Sequence, residues 1–177
     1  MTRNRSGLGI FKILMIPAAV LLFAAVILLF VPVRWNVSKT LTVQVIEDLS
    51  EGTAFDSEMT LDGEYTFYMF RPDRFDGSME IAAFPEMSGK SVSFKTAEDL
   101  PDGLVLRSWR GSKLESEAFG MIWADVGMKK IVIFRSDEGG DIELDGSGTC
   151  TVIGGEASVS DAAAVLDVMK ERYAADR

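Results

Sequence analysis

From Ile13 to Val33 no position of the chain carries a charged or polar side chain. At about 1.5 Å of rise per residue, a helix over this stretch matches the roughly 30 Å hydrocarbon thickness of a bilayer. The stretch is apolar on every face, whereas a core helix of a small domain shows a one-sided stripe. It outruns the roughly 7–15-residue apolar region of a secretion signal and ends in Leu28-Leu29-Phe30-Val31-Pro32-Val33, without a small-x-small cleavage site. Arg34 and Trp35 follow at the position where a cation and an amphipathic ring suit lipid headgroups. The pattern predicts a basic N-terminus over 1–12, a transmembrane helix over 13–33 and a short juxtamembrane stalk over 34–40. Arg3, Arg5 and Lys12 outweigh Arg34 and Lys39, so the positive-inside rule expects a cytoplasmic N-terminus and an extracytoplasmic remainder.

After the apolar stretch the period changes to two. Leu41, Val43 and Val45 alternate with Thr40, Thr42 and Gln44, which predicts a strand close behind the membrane. Further strands are expected over Ala54–Leu61, Glu64–Phe70, Ser78–Phe84, Ser91–Lys95 and Leu104–Arg110. Arg71 to Gly77 reads as a connection between two of them. Glu117–Ala124 and Lys129–Arg135 flank Asp125-Val126-Gly127-Met128 as a hairpin. Ile142–Leu144 and Thr149–Ile153 read as another, turning on Asp145-Gly146-Ser147-Gly148. At the end the period lengthens to that of a helix, over 158–174. Ser158 and Asp161 form the S-x-x-D start, and Ala162, Val165, Leu166, Met169 and Tyr173 share one face. The expected fold is one transmembrane helix, then a mainly antiparallel β domain over 41–177, sandwich or barrel-like, with one C-terminal amphipathic helix.

Charge and composition narrow the function. Residues 1–40 carry five Lys or Arg and no Asp or Glu, so of the chain's formal net charge of −9 the rest carries −14. Nucleic acid, whose phosphates need a basic surface, is excluded as a partner. The plainest role of such charge is solubility. The chain has no His, which removes Ser-His-Asp and Cys-His nucleophiles and most catalytic zinc sites. Cys150 is the single cysteine, so no intramolecular disulfide supports the domain. No cofactor is implied.

Three clusters are candidates for chemistry. Asp141, Glu143 and Asp145 with Gly146 follow the first half of a calcium loop, in which alternate oxygens face a hard cation. Glu143 stands where the loop prefers Asp or Asn, and Val152 where it needs a bidentate Glu, so an acidic hairpin is the competing reading. Phe75, set among Arg71, Asp73, Arg74 and Asp76, is either an exposed partner contact or an aromatic folded beneath its turn. Trp109 and Trp123 either line a ligand pocket or fill the core. Glu115 and Glu117 are the kind of carboxylate pair a glycosidase uses, though no spacing singles them out. A tethered β domain is also the layout of signal peptidases, but Ser57-Glu58-Met59 lacks the Gly and Ser that precede that family's nucleophile. The expectation is a membrane-tethered, non-enzymatic accessory module of the cell envelope, held by the bilayer through 13–33 and contacting an envelope protein. A lipid- or sugar-binding β domain and a carboxylate-based hydrolase are the alternatives.

Overall fold

A computed structural model of the chain describes residues 17, 19–23, 26, 31–47, 53–96, 99–136 and 149–175. By proximity of its residues the chain divides into two compact units, Met1–Val33 with Tyr68–Arg71, and Arg34–Phe67 with Pro72–Arg177. In the first unit, residues 17, 19–23 and 26 are helical. No helix among the described residues is long and apolar enough to cross a membrane, and the rest of the predicted span up to Phe30 lies outside the described residues. Val33, expected as the last residue of that span, is instead the first residue of a strand.

The second unit is a closed barrel of eight antiparallel strands in sequence order: β1 (Val33–Ile46), β2 (Ala54–Phe67), β3 (Asp73–Ile81), β4 (Ser91–Thr96), β5 (Asp102–Arg110), β6 (Lys113–Ala124), β7 (Lys130–Ser136) and β8 (Thr149–Gly155). β8 closes the ring on β1, with Val43 opposite Gly154 and Ile46 opposite Thr151. Closure removes the two open edges that a sandwich would leave. Residues 34–40, expected as a stalk, are the first half of β1. They are fixed by an ion pair of Arg34 with Glu64 at 3.6 Å and by the Trp35 ring against Tyr65 at 4.8 Å.

Two predicted boundaries move. Ala54–Leu61 and the start of the aromatic run are one strand, β2, which continues through Gly63. The connection expected over 71–77 is shorter, and β3 already begins at Asp73. The cause is a facing glycine pair: Gly63 and Gly77 are in register, and a Cβ on either would collide with the backbone of the other strand. They are sites of close backbone approach inside strands, where a barrel wall bends, and not turns.

Alternation then sorts the side chains. Met59, Leu61, Tyr65, Phe75, Phe94, Leu104, Leu106, Ile122 and Ile131 fill the interior and are buried. A single 3-10 turn, Pro85–Met87, carries Met87 into the same core at the end where β3 passes to β4. β7 is apolar on both faces because a helix lies on its outside. That helix, α1 (Val159–Ala175), sets Ala162, Val165, Leu166 and Met169 against Ile46, Val132, Phe134 and Ile153. Burying a Val, Leu or Met side chain stabilises by about 1.5–3 kcal/mol, so this second core holds the helix in place. The side chain of Tyr173 lies outside the described residues.

The start of α1 is the capping box that the sequence announces. Ser158 N–H donates to Asp161 Oδ2 at 2.8 Å, and Asp161 N–H donates to Ser158 Oγ at 3.3 Å. Lys130 of β7 adds a 2.9 Å ion pair to the same carboxylate, tying the first helical turn to the barrel.

Candidate functional site

Because neighbouring strands alternate in direction, the barrel has two distinct ends. The near end holds the first residues of β1, the β2–β3, β4–β5 and β6–β7 connections and the start of α1. The far end holds the β1–β2, β3–β4, β5–β6 and β7–β8 connections.

At the near end a polar cluster is sealed inside the barrel. Tyr65 donates its phenolic hydrogen to Asp73 Oδ2 at 2.7 Å and stands 3.0 Å from Thr96 Oγ1. The Gly127 N–H donates to the same phenolic oxygen at 3.0 Å, and the Gly127 carbonyl accepts from Lys39 Nζ at 3.0 Å. A phenol has one hydrogen to give and two lone pairs to accept with. With that hydrogen on Asp73, Thr96 must be the donor in its pair. The oxygen is then fully satisfied by β3, β4 and the β6–β7 loop. Burial pushes the Tyr65 phenol above its ordinary 10.0; the bonds from Thr96 and Gly127 pull it back, and Asp73 raises it again. Tyr65, Asp73 and Thr96 are all buried. These bonds tie β2, β3, β4 and the β6–β7 loop together at the near end.

At the far end the barrel carries a projecting arm. Beyond Leu106 in β5 and before Phe119 in β6 the strands leave the core, and most of their residues are exposed. A two-residue turn, Gly111-Ser112, joins them, with Gly111 at φ 65°. On one face of this ribbon Trp109 lies opposite Leu114. Trp109 is 71 % exposed and Leu114 is exposed beside it. Arg107 shares that face, while Arg110 and Lys113, opposite each other across the strands, lie on the other face with Glu115. Alongside runs an open groove of about 480 Å³ lined by Lys90, Leu106, Ser108, Arg110, Lys113 and Glu117 among others, without Trp109. The arm is fastened at its base by a 2.6 Å pair of Lys90 with Glu117.

A bulge sets where the arm begins. Leu104 pairs with Gly120 and Val105 with Ala118, leaving Phe119 as the extra residue of β6. The bulge re-aims Phe119 against Phe84 at 5.6 Å, with the Arg135 guanidinium about 5 Å from both rings and paired with Glu86 at 2.9 Å.

The residues singled out from the sequence are thus dispersed. Trp109 is on the arm. Trp123 is partly buried on the outer face of β6, in the cluster that α1 covers. Phe75 belongs to β3, faces inward and stacks on Phe94 at 5.3 Å; as a partner contact it is replaced by a core aromatic, because its strand begins two residues before it. Glu115 pairs with Arg110 at 3.5 Å and Glu117 with Lys90, so each carboxylate of that pair is held by its own cation. Asp141, Glu143 and Asp145 lie outside the described residues. Among the described residues no group of acidic or Cys side chains is arranged to hold a metal ion.

Sequence reasoning missed Leu114 and the three cations of the arm. The available signal was the density of Arg and Lys around a lone Trp, at a Gly-Ser turn. It also missed Met69 and Phe70, read as strand but exposed in the β2–β3 loop. No known protein family, curated protein or solved structure matches the chain.

Proposed function

We propose that the protein is a membrane-tethered, non-enzymatic module of the cell envelope that grips an acidic protein partner with its β5–β6 arm. Two observations support the tether. One is the uninterrupted apolar stretch from Ile13 to Val33. The other is that the helical residues Val20, Leu21, Leu22 and Phe23 are between 61 % and 71 % exposed. Four successive helical positions point in four directions, so no face of that turn is covered by protein. Such a surface suits lipid and is costly in water. The barrel unit then stands outside the cytoplasm, the side favoured by the small excess of cations before the span.

The observation that carries the partner reading is the exposed Trp109–Leu114 pair, with Arg107 on the same face of the ribbon. Trp and Arg are the residues that most often dominate binding energy at protein interfaces. Arg107 beside the pair favours a partner whose apolar pocket is rimmed by carboxylates. Trp109 and Trp123 lie in separate places, one on the arm and one beneath α1, so neither favours a shared ligand pocket.

The test is a photo-crosslinking residue at position 109 in intact cells, with the captured protein identified. Trp109→Ala should leave folding unchanged and abolish co-purification of that protein, and added salt should weaken it. Retained capture by Trp109→Ala, or turnover of an envelope substrate that depends on a carboxylate of this domain, would refute the reading. Protease added to intact cells checks the orientation: cleavage within the barrel unit is expected, and its protection would reverse the topology.

A further inference from the structure

We infer that the β2–β3 loop is a second membrane contact, in which Met69 and Phe70 enter the headgroup–acyl boundary of the bilayer that holds the apolar stretch. The inference rests on the tether proposed above and adds a surface to it. Tyr68–Arg71 belongs to the same compact unit as Met1–Val33. Its tip is apolar and exposed: Met69 is 53 % and Phe70 70 % exposed. Its flanks are amphipathic, with the Arg71 guanidinium 3.9 Å from the centre of the Tyr68 ring. An aromatic ring capped by a cation is stable where an apolar interior meets charged phosphates.

Geometry within the barrel unit agrees. Arg34 with Glu64, and Trp35 with Tyr65, bring the first residues of β1 beside the last residues of β2. The chain therefore joins the barrel after residue 33 and leaves it before residue 68 at one and the same end. The Gly111-Ser112 turn is at the other end of the barrel. The lipid interface is the occupant these features fit, since apolar tips flanked by aromatic and cationic residues bury roughly 5–10 Å into that boundary.

The experiment uses the full chain in vesicles of mixed zwitterionic and anionic lipid. An environment-sensitive fluorophore is attached at Met69→Cys, at Phe70→Cys as a second loop position, and at Ser112→Cys as the far-end control. The native Cys150 is buried in the barrel, and the parent chain measures its background labelling. Labels at 69 and 70 should shift to the blue and be quenched by lipids spin-labelled near the headgroup more than by lipids labelled deep in the chain. The label at 112 should behave as in water. Water-like emission at 69 and 70, in protein that stays with the vesicles through an alkaline wash, overturns the loop contact and leaves the tether standing. A blue shift without lipid quenching overturns it too, by showing a protein surface as the occupant. Loss of the chain from the vesicles in the wash overturns the tether and the loop contact together.

Discussion

Tyr65 concentrates more of the near end on one atom than any other residue. Its hydroxyl answers a carboxylate, a threonine and a backbone N–H from three separate stretches of chain. Tyr65→Phe removes the hydroxyl that the Gly127 N–H and Asp73 Oδ2 share in a buried site, and should destabilise the fold by about 1–3 kcal/mol in denaturant titrations. The pH dependence has a definite sign. The folded state holds the phenol neutral beyond its ordinary 10.0, so its contribution is complete below pH 10 and is lost as pH rises through the folded value. The gap between wild type and Tyr65→Phe should therefore narrow above pH 10. Thr151 is the opposite case. Its Oγ1 is buried on the strand face shared with Ile153 and has no hydrogen-bond partner among the described residues. Thr151→Val keeps the branched shape and removes the stranded hydroxyl, and should stabilise by about 1 kcal/mol.

At the scale of the element, α1 depends on its first turn. The Asp161 carboxyl is held at about 2, well below its ordinary 3.8, first by the Ser158 hydroxyl and then by Lys130. A depressed carboxylate stabilises the fold above pH 3.8, and that contribution is lost as pH falls from about 4 towards 2. Asp161→Asn should flatten this acid limb in far-ultraviolet circular dichroism, while the wild-type helix signal falls across it. This helix was legible in the chain because cap and stripe are both local signals. The β6–β7 hairpin was legible for the same reason, since Asp125 accepts from the Lys129 and Lys130 N–H groups within its own turn, both at 2.7 Å. The β2–β3 boundary was not. Gly63 and Gly77 look like turn residues in sequence, and only their register across two strands shows that they answer each other. With β3 beginning at Asp73, Phe75 takes the buried one of the two readings its sequence left open. The aromatic run over 64–70 concealed a change of role at Phe67, because apolarity does not distinguish an inward ring from an exposed one. Trp109 could be picked out as a large aromatic. Its projection beyond the core depends on where Phe119 bulges, and no local pattern reports that.

The whole molecule separates its tasks by end. The near end of the barrel is locked by a buried polar cluster, while the far end carries the projecting β5–β6 arm. Between them the ring is sealed by the pairing of Val43 with Gly154, residues about 110 positions apart. That pairing also governs time. The outer edge of the first strand has no partner until the eighth has been made, so the barrel closes only after nearly the whole chain is available. Such distant pairing puts refolding in the millisecond-to-second range, slow for this size. Stopped-flow fluorescence should show it, and a chain ending before Thr149 should lose its cooperative unfolding transition. During synthesis β1 waits with one row of N–H and C=O groups open, a template for any passing strand. Whether this protein aggregates is thus decided by how quickly its last strand arrives, more than by how stable the closed ring becomes.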